Sequence, residues 1–183
     1  MSQIAMAPRI TPEEVASRRD TILNAAKWCF LNFGFAKTSL DDIAKRACIS
    51  RTLLYKTFSN KEDIYTAVFR HWLISRHPLA KAAVAGDGTQ RERLFEVCRI
   101  MLIEPWADMV GAPMAGEFYE VCERLDPEID ALHHKIAFEC ISAILGDELA
   151  ADVFMKSLDG QIGDDPSVPI LEKRVRLLID RFT

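Results

Sequence analysis

Between Ser50 and Phe58 the chain sets Arg51, Thr52, Tyr55, Lys56 and Thr57 on one side of a short helical repeat. Leu54 and Phe58, four apart, turn to the other side together with Ile49. A basic, hydroxylated face with one aromatic ring contains no nucleophile–base pair and no metal-ligand set. Its chemistry is recognition: cationic and hydroxyl groups donate to base edges and phosphate oxygens. Leu53 in the same helix cannot hydrogen-bond a phosphate, but it can pack on a thymine methyl.

Two helices must hold that face. Leu40, Ile43, Ala44 and Ala47 fall at i, i+3, i+4 and i+7, one apolar stripe. Thr38 and Ser39 precede Asp41 and Asp42, so either hydroxyl can head a capping box. Cys48-Ile49-Ser50 ends the stripe, and Ser50 caps the next helix. This is a helix-turn-helix, whose second helix fits a DNA major groove; the bare pattern also occurs in all-α proteins that never touch nucleic acid. Upstream, Thr11-Pro12-Glu13-Glu14 starts a helix whose buried stripe runs through Val15, Ile22, Ala26, Phe30 and Phe33. Gly34 is expected to end it in a left-handed C′ position. Arg18 and Arg19 either reach the DNA backbone or form a solvated basic turn. Downstream, Asn60 and Asp63 open a further helix carrying Ile64, Val68 and Trp72. Lys61 lies in its first turn, where free N–H groups favour an anion. Met1 to Ile10 has no periodicity, is expected to be disordered, and with one arginine makes a poor minor-groove arm.

The run Ile22 to Val68 resembles the N-terminal domain of the TetR family of bacterial transcriptional regulators. The pieces that carry the resemblance are ILNAAKWCFLNFGFAKTSL, DIAKRACIS and LYKTFSNKEDIYTAV, about 47 residues in ungapped spacing. Cys48 stands where the family has a turn glycine, Leu53 where a small residue is usual, and Thr57 where Tyr or His is commoner. The resemblance implies that Tyr55 and Lys61 contact DNA phosphates, while Arg51, Thr52, Lys56 and Thr57 lie nearest the bases. Thr38, Ser39, Ser50 and Leu53 complete the expected DNA-facing set. It also implies a C-terminal domain with an inducer pocket and two terminal helices that form a homodimer.

Charge supports a two-part chain. The net charge is −4. Residues 1–77 hold 12 Lys/Arg against 7 Asp/Glu, giving +5, and residues 78–183 hold 11 against 20, giving −9. A basic half on an acidic remainder suits a DNA-reading head on a body that does not touch DNA. Five scattered cysteines without C-x-x-C spacing fit reduced thiols in the cytoplasm. No apolar run approaches a membrane span, and no secretory signal opens the chain.

The chain reads as all-α: a helix-turn-helix domain over 11–77, including a linking helix Lys61–His77, and a helical ligand-binding and dimerisation domain over 78–183. Helices are expected at Thr89–Glu104, Pro113–Leu125, Asp126–Leu145, Glu148–Ile162 and Ser167–Phe182, with the pattern broken from Pro105 to Pro113. Phe95, Cys98, Met101, Trp106, Met109, Met114, Phe118, Tyr119, Cys122 and Phe138 can line an apolar cavity for a small apolar or amphipathic ligand; for any one of them, ordinary core packing competes. Leu149, Val153, Leu158 and Ile162, with Ile170, Val175, Leu178 and Phe182, supply an apolar face for a homodimer. Asp130 and His134, four apart, could share a metal, though solvated histidines explain them as well; no metal or cofactor is expected. Catalysis has no motif behind it. The readings left open are a ligand-released repressor on a palindromic operator of double-stranded DNA, a constitutive DNA binder, and a small helical thiol enzyme, with a thiol redox sensor as a variant.

Overall fold

The computed structural model describes residues 11–183, and every regular element among them is helical. The expectation for residues 1–10 lies outside the described residues. The first helix, α1 (Pro12–Lys37), opens with the expected capping box: the Thr11 hydroxyl accepts the Glu14 N–H and the Glu14 carboxylate accepts the Thr11 N–H. Gly34 does adopt positive φ, 80° with ψ 166°, but it bends α1 rather than ending it, and one more turn runs to Lys37. That extended, glycine-only conformation lets the backbone meet the body closely; a Cβ there would lie 2.8 Å from the Met114 methyl. Ile22, Ala26 and Phe30 are buried as the stripe requires. Val15 and Phe33 are not: Val15 precedes the part of α1 that packs, and Phe33 stacks edge-on against Trp28 at the surface.

Helices α2 (Leu40–Arg46), α3 (Arg51–Thr57) and α4 (Lys61–Ile74) complete the head. Ser39 heads the α2 capping box with Asp42. Thr38 does not, because its hydroxyl is buried and donates to the Gly34 carbonyl at 2.7 Å. The linking helix is shorter than expected, since α4 stops at Ile74 and α5 (His77–Val84) begins with Pro78 in its first turn.

The body consists of α5, α6 (Gln90–Cys98), a π-helical stretch Arg99–Ile103, α7 (Glu104–Met109), α8 (Ala115–Leu125), α9 (Pro127–Leu145), α10 (Glu148–Asp159) and α11 (Val168–Phe182). Pro105 does not break the chain's helical course, contrary to expectation; the break comes at Val110–Met114. Proline lacks the N–H that an α-helix would direct to the Met101 carbonyl four residues back. The Glu104 N–H reaches back five residues to Arg99, and the Met101 carbonyl is met instead by His133 Nε2 at 3.0 Å. A histidine from α9 thus replaces the missing backbone donor. Asp126 sits at the α9 N-cap position but makes no capping bond; its carboxylate holds Arg70 of α4.

Two apolar clusters form the core. One joins Ile22, Phe30, Ile43, Leu54, Phe58, Ile64 and Phe69 of the head to Met109, Phe118, Val121 and Cys122. The other gathers Ala80, Leu94, Val97, Ile100, Ile141, Phe154, Leu171, Val175 and Ile179. Helix α8 therefore packs into the head's core although it lies far along the chain. Its Glu117 carboxylate accepts the Phe35 N–H at 3.0 Å, and the Met114 N–H donates to Leu31 at 3.0 Å. Among the described residues no helix is long and apolar enough to cross a membrane.

Candidate nucleic-acid interface and ligand cavity

Helix α3 is fixed from beneath by Leu54 and Phe58, 1% and 3% exposed, and from its start by Ser50, whose hydroxyl accepts the Leu53 N–H. Its outer side carries Thr52, Tyr55 and Lys56, all exposed, with Leu53 half-buried beside them. The rest of the expected DNA-facing set is already engaged. Arg51 forks onto the Asp41 carboxylate of α2. The Thr57 hydroxyl donates to the Leu53 carbonyl at 2.8 Å. Ser39 and Ser50 spend their oxygens on helix caps, and Thr38 is buried.

Lys61 requires the clearest correction. Its ammonium donates to the carbonyls of Phe35 at 2.6 Å and Thr38 at 3.2 Å, and lies 4.4 Å from the centre of the Phe35 ring. It closes the negative, C-terminal end of α1 rather than standing free at the start of α4. The pull is electrostatic: carbonyls left unpaired at the end of a helix attract a cation that four methylenes allow to reach them. To meet a phosphate, Lys61 must give these partners up.

Cys48 makes the tight turn at φ 54°, the left-handed region. A residue with a Cβ pays about 1–2 kcal/mol there, and glycine returns part of that through a freer unfolded chain. Cys48→Gly is therefore expected to leave stability unchanged or raise it by up to about 1 kcal/mol. Thermal melting checks this, and a clear loss of stability would contradict the turn geometry.

The body holds a cavity of about 310 Å³. Four residues of the expected lining are there: Cys98, Met101, Trp106 and Tyr119. The other six are elsewhere. Met109, Phe118 and Cys122 are buried in the head cluster, and Met114 packs over Gly34. Phe95 lies outside, under the Arg176 guanidinium at 3.6 Å, and Phe138 packs against the second cluster. The cavity instead recruits Asp130, His133, His134, Ala137 and Ile141 of α9. Their spacing of i, i+3, i+4, i+7 and i+11 is a single helical face, a signal the sequence contains but that mixed polarity hides. Met155 and Leu158 of α10, with Ile162 just beyond it, close another side.

His133 and His77 share a proton-bearing contact within the body, Nε2 of His77 to Nδ1 of His133 at 3.2 Å. Because the Met101 carbonyl can only accept, His133 must carry its proton on Nε2, and His77 must donate to its other nitrogen. Burial, reinforced by the neighbouring charge of His77, pushes the His133 pKa down to about 4, against the pull of the Met101 carbonyl. Burial and then the Lys81 charge also lower that of His77. The metal reading gains nothing: among the described residues no three His, Cys, Asp or Glu side chains converge. Burial raises the four buried thiols, with Cys98 and Cys122 pushed up to about 12 and Cys29 and Cys140 also up, away from the thiolate a thiol enzyme needs; Cys48, in the turn, is exposed.

The expected dimer face is divided. Leu149 and Val153 on α10 and Ile170 on α11 are exposed, joined by Leu177. Leu158 and Val175 are buried within the chain's own core, Ile162 lines the cavity, and Leu178 and Phe182 pack against the second cluster. Leu158 and Val175 are thus taken up by the chain's own core, whereas Ile162, Leu178 and Phe182 stay half-buried.

Residues 22–68, which span α2, α3 and most of α1 and α4, match the family model for bacterial regulatory proteins of the tetR family. Over these residues the head matches the TetR family. Among curated relatives, the HTH-type transcriptional regulator RutR of Escherichia coli strain K12 is 34% identical over 119 residues, covering 55% of this chain and 52% of RutR. The HTH-type transcriptional regulator TtgR of Pseudomonas putida is 31% identical over 101 residues, covering 52% and 48%. The chain thus spans about half the length of the curated relatives it matches. The likeness in fold extends further than this head. SmeT, the repressor of a Stenotrophomonas maltophilia multidrug efflux pump, superposes with a TM-score of 0.61 at 20% identity, covering 90% of this chain and 87% of SmeT. A SmeT–triclosan complex gives 0.63 at 19%, covering 91% and 90%.

Proposed function

We propose that the chain is a sequence-specific DNA-binding transcriptional regulator: a cytoplasmic, homodimeric repressor released from a palindromic operator by a small ligand. Residues 11–77 serve as the head and 78–183 as the ligand-binding and dimerising body. The observation that carries this reading is the dual contact of α7. Pro105 and Trp106 line the cavity, while Asp108, two residues on, accepts hydrogen bonds from Lys27 of α1 at 2.9 Å, Trp72 of α4 at 2.7 Å and Arg76 at 3.1 Å. A ligand that shifts α7 pulls on both head helices that support the helix-turn-helix. The names of RutR and TtgR, both HTH-type transcriptional regulators, support a regulator, and the triclosan-bound SmeT supports one that answers to a small molecule. Leu149, Val153, Ile170 and Leu177 offer a remaining apolar face for a second copy. Two heads then enter successive major grooves about 34–36 Å apart.

Selection of bound DNA from a random pool tests the reading. The wild-type chain should enrich an inverted repeat, and a Thr52→Ala/Tyr55→Ala/Lys56→Ala variant, still helical by circular dichroism, should enrich none. Wild type enriching no sequence, or the variant enriching the same one, would sink the proposal.

The Asp108 clamp has its own pH signature. Burial works to raise the Asp108 pKa, but hydrogen bonds from Lys27 and Trp72 and the charges of Lys27 and Arg76 outweigh it and hold the carboxyl below its ordinary range. Its stabilisation is therefore complete above the unfolded pKa of about 3.9 and is lost as pH falls through the lower folded value. The side chain is about one-third exposed, 35%, so solvent screening keeps the contribution near about 1 kcal/mol. Asp108→Asn should melt below wild type at neutral pH, with the two curves converging in acid. An unchanged gap in acid would mean the carboxylate charge contributes nothing.

A further inference from the structure

We infer that the body cavity takes an amphipathic cation, an apolar body carrying one amine or quaternary ammonium group, in preference to a neutral or acidic ligand. The inference rests on the ligand-responsive reading above and names the chemistry of its ligand. The walls are apolar apart from two carboxylates, Asp130 and Asp159, and two imidazoles, and no Lys or Arg is among the lining residues. An anionic ligand would meet like charge with no partner, whereas a cation would meet two carboxylates and two aromatic rings.

The basic groups nearest the site stand outside its wall; Lys81, whose charge acts on His77 and Cys140, is not among the lining residues. The Arg76 guanidinium, whose field reaches Tyr119, is held by Asp108 at 3.1 Å and lies 4.0 Å from Glu104. His133 is locked neutral between His77 and the Met101 carbonyl, so it adds no positive charge to the wall. Asp130 remains half-exposed at the cavity, with only the half-exposed His134 beside it at 3.8 Å. Its field is felt inside: after burial, the Asp130 charge is the largest influence raising the Tyr119 phenol pKa. Trp106 presents a ring fixed in place, because its indole Nε1 donates to the Pro166 carbonyl at 2.8 Å. The fixed Trp106 ring and the Asp130 carboxylate line the same cavity, and both attract an ammonium group, the ring through its quadrupole.

The test uses three probes with one octyl chain: octyltrimethylammonium, octan-1-ol and octanoate, titrated calorimetrically into the full chain below their aggregation concentrations. The cation should bind about 5–10-fold more tightly than the alcohol, as expected for a partly solvated cation–π and carboxylate contact, and octanoate should bind more weakly than either. Asp130→Asn should bring the cation to within about two-fold of the alcohol and leave the alcohol unchanged. Ala137→Phe, which fills the cavity, should abolish binding of all three. Octanol or octanoate binding as tightly as the cation would overturn the inference and leave the ligand-responsive reading standing. Cation binding that survives Ala137→Phe would overturn it as well, by moving the site elsewhere. If no probe binds the wild-type chain, the inference and the ligand-responsive reading fall together.

Discussion

Phe118→Ala will cost about 3–5 kcal/mol of stability, a drop in melting temperature of about 6–20 °C for a chain of this size. The side chain is 2% exposed. Its ring centroid lies 5.3 Å from that of Tyr65, 5.2 Å from Phe69 and 5.6 Å from Trp72, all on α4. Its carbonyl also receives the buried Tyr65 hydroxyl. Removing the ring empties the junction between the head's α4 and the body's α8, where neither helix can close up without moving the other. The sequence offers Phe118 as one of the residues that can line a ligand pocket. The structure places it in the core, so folding suffers first. Calorimetric or circular-dichroism melting checks this; a loss below about 1 kcal/mol would show that the site collapses or that the aromatic cluster is loose.

The second large effect separates two neighbours on α3. Tyr55 is 57% exposed and Lys56 is exposed, so replacing either should change stability by no more than about 0.5 kcal/mol. DNA binding should respond differently. Lys56→Ala should relax one operator position by about 1–3 kcal/mol and spare the others, whereas Tyr55→Ala should weaken every sequence alike. Binding isotherms on a selected operator and its single-base variants measure both. If Tyr55→Ala changed the preference and Lys56→Ala acted uniformly, the two roles would have to be exchanged. Lys61 no longer belongs with the phosphate anchors on geometry alone, since its ammonium already closes the end of α1.

What was legible in the sequence follows the range over which its physics acts. The capping boxes at Thr11 and Ser39, the caps at Ser50 and Asn60 and the buried stripe Ile43, Ala44, Leu54 and Phe58 depend on residues three or four apart. The head was therefore readable without its partners. Gly34 was half-readable: its positive φ follows from local chemistry, but the resumed turn depends on Glu117 and Met114 from a helix 80 residues away. Pro105 was misread for the same reason. A proline in mid-helix orphans a carbonyl, and only the fold reveals that His133 supplies the missing donor. The cavity was the least legible. Large apolar residues mark a core as readily as a pocket, and Phe118, Met109 and Cys122 went to the core. Asp130 and His134, candidates for a metal or for solvent, went to the cavity wall together with His133.

In the proposed function, α7 couples the DNA-reading face to the ligand cavity. The affinity of octyltrimethylammonium, measured for the free chain and for the chain saturated with its selected operator, decides whether this coupling exists. Linkage requires the ligand to bind the free chain more tightly, by the same factor by which it weakens operator binding, typically about 5–150-fold for coupled sites. A clear ratio is expected in wild type, shrinking in Asp108→Asn, where the clamp between α7 and the head loses its negative charge. Equal affinities with and without operator, in a wild-type chain whose cavity is filled, would contradict it.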